Sequence, residues 1–324
     1  MRTVTMEWES RLGRRLRVRD LYILATVVKA CSMAKAAREL SMSQPAVSEA
    51  IANLEHVLRV RLLDRSTRGV EPTIYAKTIL KRSTAVFDEL KQGVRDIEFL
   101  TDPSTGQLNI GCPESIAATL LPHFAERYVK KFPGVSLQVE DVPSPAIRSP
   151  ALRERKVDLI LARWPIPLAI DESVDDVNVD PLFDDPLVIV AGMNSPWAQR
   201  RRKMDIADLV DEPWILSPPG TWNYEWVARG FKERGLGLPK VAISTFNVHL
   251  NAHFLRNGRF LTAYPRSWAL LNSFKVLSAN LSPQAWPLSI VTLKNRTLSP
   301  TVESFIACSR DVAKAMAAKL TRSP

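Results

Sequence analysis

The stretch AARELSMSQPAVS, residues 36–48, contains the pattern that decides the fold of the N-terminal region. It overlaps an Ala-rich segment, 33–40, that Ser32 can cap, and after a break at 41–43 Ser43 can cap another helix. Pro45 fits the first turn of that next helix, because the N–H that proline lacks would be unpaired there. Two helices joined by so short a turn form a helix-turn-helix unit, although helical hairpins of other α-proteins show similar spacing.

The helix that begins near residue 44 carries short polar side chains at its start. Upstream, from residue 18 onward, apolar residues recur at three- and four-residue spacing and predict a further helix. Gln44 and Ser48, followed by Glu49 and Asn53, can reach base edges or phosphates if the N-terminus of their helix enters a major groove. Spacing alone leaves DNA binding and a plain helical hairpin open.

Arginines crowd the segment that follows this helix. Arg59, Arg61, Arg65 and Arg68 precede the run GVEP at 69–72, and the pattern predicts a small basic β-hairpin, or wing. Arginines on a wing can clamp phosphates or enter a minor groove. A solvated charged loop is the alternative.

A long helix is predicted from Thr73, which can cap it, to about Leu100. Apolar residues along it alternate at spacings of three and four, as in the a/d seam of a coiled coil. The seam predicts pairing with a partner helix, although a single long helix packed on its own domain would carry the same stripe. The residues predicted to make the dimer are Leu80, Phe87, Leu90, Val94 and Ile97.

The charge of the chain is unevenly distributed. The 324 residues, which predict about two domains, carry a formal charge of +10. Residues 1–70 hold 13 Lys and Arg against 7 Asp and Glu, so most of the excess lies in the first fifth of the chain. A basic N-terminal region suits nucleic acid, or sometimes a membrane surface, and a solvated arm is the alternative.

Cysteine usage and the absence of targeting patterns favour a reducing compartment. Cys31, Cys112 and Cys308 are too few for a disulfide framework. Residues 1–20 contain no apolar segment of a secretory signal, and no apolar stretch reaches the length that spans a bilayer. We therefore expect a soluble cytoplasmic protein without a membrane partner.

Residues 102–106, DPSTG, predict a linker, and beyond it strands alternate with helices. Such alternation is typical of open α/β sheets, so the predicted fold class is α/β. The predicted strands cover 107–111, 135–142, 158–162, 187–192, 214–216, 241–245, 260–264 and 288–293. The helices are predicted at 117–132, 151–156, 222–234, 248–256 and 300–320.

Taken together, these features resemble the LysR-type transcriptional regulators. Residues 36–48, continued by Ile51, by Leu54-Glu55 and by LLDR at 62–65, resemble the winged helix-turn-helix signature of that family. Leu121-Pro122 and YPRS at 264–267 look like further landmarks, so the resemblance covers about residues 18–320.

Three residues depart from the family pattern. Arg59 and Ala76 stand where the family usually has Gly, and Leu63 stands where it usually has Phe. At the end of a helix, Arg59 must accept a positive φ or end the helix differently. None of the three removes a residue expected to read DNA.

The resemblance implies a winged helix-turn-helix, a long linker helix and two α/β subdomains like those of periplasmic binding proteins. It divides the chain into a basic arm at 1–17, a DNA-binding domain at 18–73, a linker and dimerisation helix at 74–101, and an effector-binding domain at 102–324. Within the last, subdomain I would cover about 106–165 and 266–324, and subdomain II about 166–265.

The resemblance also implies partners, namely double-stranded promoter DNA, a small-molecule effector, further copies of the chain in a homodimer or homotetramer, and RNA polymerase. The third helix would face the major groove and the wing would contact the DNA backbone or minor groove. The residues implied at the DNA are Ala34, Lys35, Gln44, Pro45, Ala46, Ser48, Arg65 and Arg68.

In open α/β sheets, ligands bind beyond the carboxyl ends of the strands. Helix N-termini there, together with Arg163, suggest an organic anion as effector, and Trp164 and Trp222 would permit an aromatic or sugar ring. Each of these residues could instead be a plain helix cap or packing residue. The residues expected to bind the effector are Pro113, Glu114, Ser115, Arg163, Trp164, Thr221, Trp222, Asn247 and Tyr264.

No metal, cofactor or catalytic site is predicted. His249 and His253 have metal-ligand spacing, but no cluster of Cys or carboxylates joins them. The acidic residues between Asp171 and Asp185 lack the spacing of a calcium loop and are expected to be solvated. Because no phosphate loop or nucleophile elbow occurs, a regulator is favoured over a binding protein or enzyme in which the C-terminal half is the active part.

Overall fold

The structure of the chain is a computed structural model that describes residues 15–66, 69–102, 105–143, 146, 149–163, 175–200, 204–279 and 287–322. The chain divides into two compact units, Met1–Lys91 and Gln92–Pro324. The predicted basic arm at 1–17 lies mostly outside the described residues.

Three short helices form the core of the first unit, namely α1 (Val18–Ala30), α2 (Met33–Glu39) and α3 (Gln44–Leu58). The side chain of Ser32 accepts a hydrogen bond from the Lys35 N–H at 3.4 Å, and that of Ser43 accepts one from the Ala46 N–H at 3.3 Å. Both residues therefore cap the helices that the sequence assigned to them. Apolar residues from all three helices share one buried cluster, and the helix-turn-helix prediction is confirmed.

A two-stranded hairpin follows the third helix, as predicted. Strands β1 (Leu63–Ser66) and β2 (Gly69–Pro72) pair in antiparallel register. The long helix α4 (Ile74–Thr101) begins directly afterwards. Its first turn is capped by Thr73, whose Oγ1 accepts a hydrogen bond from the Ala76 N–H at 3.3 Å.

Arg59 ends α3 in the left-handed region, with φ 56° and ψ 30°. The arginine therefore takes the conformation that Gly would adopt without strain, at a cost of about 1 kcal/mol. The carboxylate of Glu55 then holds the following turn, because its Oε1 accepts from the N–H groups of Leu62 at 2.7 Å and Leu63 at 3.2 Å.

The second unit consists of strands and helices in alternation, which confirms the α/β class. Its strands are β3 (Gly106–Cys112), β4 (Val135–Asp141), β5 (Leu159–Arg163), β6 (Val177–Asp184), β7 (Leu187–Ala191), β8 (Trp214–Leu216), β9 (Val241–Ser244), β10 (Leu261–Pro265), β11 (Lys275–Leu277) and β12 (Pro287–Leu293). Its α-helices are α5 (Glu114–Ala117), α6 (Leu121–Lys131), α7 (Pro150–Arg153), α8 (Trp222–Lys232), α9 (Val248–Asn257), α10 (Arg266–Leu271) and α11 (Pro300–Arg322).

The strands form two five-stranded sheets with the orders β4-β3-β5-β12-β6 and β11-β7-β10-β8-β9. In the first sheet β3 lies parallel to β4 and β5, and in the second β8 lies parallel to β9 and β10. Each sheet is completed by antiparallel strands. Each sheet buries its own apolar clusters.

The chain passes from one sheet to the other at two places. Neither place coincides with the predicted subdomain boundaries near residues 166 and 265. Strand β6, which the sequence assigned to subdomain II, pairs along β12 in the first sheet. Strand β11, assigned to subdomain I, pairs with β7 in the second. The chain therefore crosses at Asp185–Pro186 and again between β11 and β12. The prediction failed because β6 and β11 were not recognised as strands in the sequence.

Gly192 lets α9 lie close to the second sheet. A Cβ at this position would overlap the carbonyl oxygen of Leu255, which belongs to α9. Only a residue without a side chain allows this approach of helix and strand end.

Among the described helices, none combines the length and the hydrophobicity that a membrane span requires.

Candidate functional site

The N-terminal end of α3 presents a polar surface to solvent. Gln44 and Pro45 are exposed, and Ala46 and Ser48 are half-buried at the same end of the helix. The opposite side of α3 is anchored by Val47, which is fully buried. The helix therefore holds its first turn rigidly while the side chains expected at base edges remain accessible.

The other residues expected at DNA are placed only in part. Ala34 and Lys35 are exposed in the first turn of α2. Arg65 lies in the wing strand β1, but its side chain and the whole of Arg68 lie outside the described residues. Whether the wing arginines face the same side as α3 therefore stays a prediction.

The predicted dimer seam of α4 divides into two halves. Leu80 and Phe87 are half-buried against the core of their own unit, and the Tyr22 ring meets the Phe87 ring edge-on at 5.8 Å between centroids. Leu90 and Ile97, in contrast, are 53% and 64% exposed, and Val94 lies exposed between them. The far half of the helix thus presents an apolar row to solvent.

A cavity of about 460 Å³ lies in the second unit, at the carboxyl ends of strands from both sheets. A volume in this range is typical of small-molecule sites. Most of the residues predicted to bind an effector line it together. They are Pro113, Glu114, Ser115, Arg163, Thr221, Trp222 and Tyr264.

One predicted effector residue, Asn247, is not on the described wall, and another, Trp164, cannot be compared with it. Asn247 caps α9, since its Oδ1 accepts from the Leu250 N–H at 2.8 Å, and it is not among the residues that line the cavity. Trp164 lies outside the described residues. For Asn247 the sequence's alternative of a plain helix cap is therefore the better description.

Several wall residues were missed in the sequence. Asp141 ends β4, Ser217 follows β8, and Asn223 and Phe246 also line the cavity. Ligands bind beyond the carboxyl ends of strands, and this rule, which selected Glu114, applies equally to Asp141 and Ser217. These two residues could therefore have been predicted from the sequence. Phe246 is 49% exposed and lies in a loop, where no spacing pattern marks it.

Arg163 is already paired within the protein. Its side chain is 7% exposed, and its Nε and Nη2 donate to Asp185 Oδ2 at 2.9 and 2.8 Å. Ser267 completes the pair, donating from its N–H to Asp185 Oδ1 at 2.8 Å and from its hydroxyl to Oδ2 at 2.7 Å. This cluster joins the end of β5 to the first crossing and to the start of α10.

The pairing corrects two expectations from the sequence. Asp185, expected to be solvated with its acidic neighbours, is fully buried. The residue that neutralises it, Arg163, is 22 positions away, so no local pattern reveals the contact. Arg163, expected to offer its charge to an anion, has that charge compensated by Asp185.

Other side-chain donors around the cavity also have partners in the protein. The Thr221 hydroxyl donates to the Pro218 carbonyl at 2.7 Å, and the Tyr264 hydroxyl donates to the Phe246 carbonyl at 3.2 Å. Burial, followed by the charge of Glu114, raises the pKa of Tyr264, so this phenol stays protonated.

Two carboxylates line the cavity. Glu114 is half-buried, and its Oε2 accepts from the Val248 N–H at 3.4 Å across the two sheets. Asp141, opposite Cys112 in the β3–β4 ladder, is exposed at the end of β4. Among the described residues, neither carboxylate has an ion-pair partner.

Cys112 is poorly suited to redox sensing. Its side chain is fully buried, and this burial, together with the charge of Asp141, raises the pKa of the thiol to about 12. A thiol must ionise to react, so Cys112 stays unreactive near neutral pH.

Within the described ranges, no three His, Cys, Asp or Glu side chains are grouped to hold a metal.

Two family models match the chain. Residues 18–77 match the bacterial regulatory helix-turn-helix protein of the lysR family, and residues 101–314 match the LysR substrate binding domain. Together they cover the helix-turn-helix unit and the unit that contains the cavity.

Curated relatives and solved structures agree with this assignment. The chain is 25% identical over 303 residues to the HTH-type transcriptional regulator GbpR of Azospirillum brasilense, covering 92% of this chain and 87% of that protein. It is 26% identical over 305 residues to the uncharacterized regulator YybE of Bacillus subtilis, covering 93% and 97%. CbnR, solved with its target DNA, shares the fold with a TM-score of 0.59 and 18% identity over 92% of this chain and 100% of CbnR. The chain therefore belongs to the LysR family of transcriptional regulators.

Proposed function

We propose that this regulator binds a promoter site through α3 and changes its DNA-bound arrangement when a small molecule enters the cavity of the second unit. The observation that carries the proposal is the capped N-terminus of α3, where Gln44 and Pro45 are exposed while Val47 anchors the helix in the core. This geometry suits a recognition helix, whose first turns reach base edges in the major groove. Ala34, Lys35 and the wing arginines would add contacts to the DNA backbone.

The test of base reading is the substitution Gln44→Ala. We expect it to weaken binding to the specific site by about 1–3 kcal/mol and to leave binding to random DNA nearly unchanged, because one base contact is lost. Fluorescence anisotropy with both DNAs measures the two affinities. Gln138→Ala, an exposed glutamine on β4 of the other unit, is the matched control. Equal losses on both DNAs would show that Gln44 does not read bases.

Assembly is proposed to use the exposed half of α4. Leu90, Val94 and Ile97 form an apolar row that a second copy could cover, as a heptad seam requires. A dimer would present two recognition helices to two half-sites. A homotetramer and contact with RNA polymerase are the further expectations that the family resemblance supplies.

Control by an effector requires different affinities for two arrangements of the protein. A ligand can shift the arrangement only by as much as it prefers one state over the other. The cavity contacts both sheets, and Glu114 already joins them through its hydrogen bond to Val248. A ligand that displaced or strengthened this contact would favour one arrangement.

A further inference from the structure

Most of the nitrogen and hydroxyl donors on the described side chains around the cavity already donate within the protein, and the hydroxyls of Ser115 and Ser217 are the neutral donors left on its wall. Thr221 and Tyr264 donate to backbone carbonyls, Asn223 Nδ2 donates to the Ala263 carbonyl at 3.2 Å, and Arg163 donates to Asp185. A ligand that needs these donors would have to break hydrogen bonds inside the protein. Each broken bond would leave a carbonyl or carboxylate oxygen without its partner, which is costly in a buried place.

The acceptors, in contrast, are available. Glu114 uses only Oε2, in a long hydrogen bond of 3.4 Å to the Val248 N–H, and in the described part of the chain its Oε1 has no hydrogen-bond partner. The side chain of Asp141 makes no hydrogen bond to any other described residue. Because Asp185 neutralises Arg163, these two carboxylates leave the described wall with a net negative charge.

Aromatic rings supply the rest of the wall. Trp222, Phe246 and Tyr264 line the same cavity as the two carboxylates. The faces of such rings attract cations and pack against apolar groups. A carboxylate beside aromatic rings is an environment that favours a positively charged nitrogen on an apolar body.

From this arrangement we infer that the cavity binds an organic cation, a small molecule that carries a protonated amine, amidine or guanidine. The inference rests on the proposed effector role of the cavity and replaces the organic anion that the sequence suggested. The positive nitrogen lies against Glu114 and Asp141, and its apolar part lies against the aromatic rings. An anion would instead depend on backbone N–H groups at the start of α8 and on the neutral hydroxyls of Ser115 and Ser217, with no uncompensated positive charge on the described wall.

Benzamidine and benzoate test the sign of the charge. The two molecules share a ring and a planar fork of similar shape but have opposite charge. Calorimetric titration of the full-length wild-type chain should give a benzamidine affinity at least about tenfold above that of benzoate, since one charge contact is worth about that factor. Equal affinities, tighter binding of benzoate, or no binding of either would overturn the inference.

Neutralising variants then test the place of binding. Glu114→Gln and Asp141→Asn remove one charge each while nearly keeping shape, and each should weaken benzamidine binding by about three- to tenfold. Glu140→Gln is the matched control, because Glu140 precedes Asp141 on β4 and points to the other face of the sheet. Unchanged benzamidine affinity in the Glu114→Gln, Asp141→Asn double variant would show that it binds elsewhere.

The proposed function can fail independently of this inference. Promoter binding by the same wild-type preparation tests DNA binding without any ligand. Normal promoter binding without a preference for benzamidine would reject the cationic effector alone. A clear preference for benzamidine without promoter binding would reject the proposed DNA contact alone.

Discussion

Removal of Asp185 should destabilise the second unit far more than removal of an exposed carboxylate. Asp185 accepts two hydrogen bonds from Arg163 and two from Ser267, all between 2.7 and 2.9 Å. In Asp185→Ala the guanidinium, 7% exposed, remains charged without its partner. Removing one partner of a buried ion pair lowers the free energy of unfolding by about 3–5 kcal/mol, because the other charge is left uncompensated. We therefore expect a loss of about 4 kcal/mol in the free energy of unfolding.

The matched control is Asp180→Ala. Asp180 also pairs with an arginine, Arg310, at 2.7 Å, but the two side chains are 35% and 55% exposed. An exposed pair contributes less than about 1 kcal/mol. Urea unfolding followed by circular dichroism measures both variants. Similar midpoints for the two variants would refute the argument from burial, and adding Arg163→Met to Asp185→Ala should restore much of the loss.

Three further predictions concern the rest of the molecule. Arg59→Gly should stabilise the first unit by about 0.5–1 kcal/mol in thermal unfolding, because Gly takes the left-handed conformation without strain; a lower melting temperature would contradict this. Leu90→Glu with Val94→Glu should abolish self-association in light scattering, and an unchanged mass would place the interface elsewhere. At pH 8 iodoacetamide should label the exposed Cys31 and spare the buried Cys112, whose raised pKa keeps it protonated, so labelling of native Cys112 detected by mass spectrometry would refute its burial.

Local signals were sufficient to predict the first unit. The side chains of Ser32 and Ser43 each accept a hydrogen bond from an N–H three residues later. Their capping roles can therefore be predicted from short stretches of sequence. The wing follows from two strands that pair with each other and are separated by only two residues in the sequence. Contacts between residues only a few positions apart can be predicted without knowing the tertiary fold.

The second unit was predicted less completely because its decisive contacts are distant in sequence. Strand β6 contains Asp180, Pro181 and Asp184 and does not look like a strand. It becomes one by pairing with β12, about a hundred residues later. The partner of Arg163 is likewise fixed by that strand, so the charge available to a ligand could not be judged before the sheet order was known.

The dimer seam shows a different limit of sequence reasoning. A heptad pattern states that one side of α4 is apolar but does not say what covers it. In the structure Phe87 packs beneath the helix-turn-helix core, whereas Leu90 lies in solvent. One continuous apolar stripe is therefore packed against its own unit at one end and exposed to solvent at the other.

The tight contact at Gly192 lets a residue outside the described cavity wall determine how closely α9 packs on the sheet. Gly192 is not part of the wall, yet any side chain there would push α9 away from the sheet. The first residue of α9, Val248, donates to Glu114, and the loop before it carries Phe246. A search for variants that bind the promoter but ignore the effector should therefore recover substitutions at Gly192, and maps of such variants would wrongly suggest a second binding site.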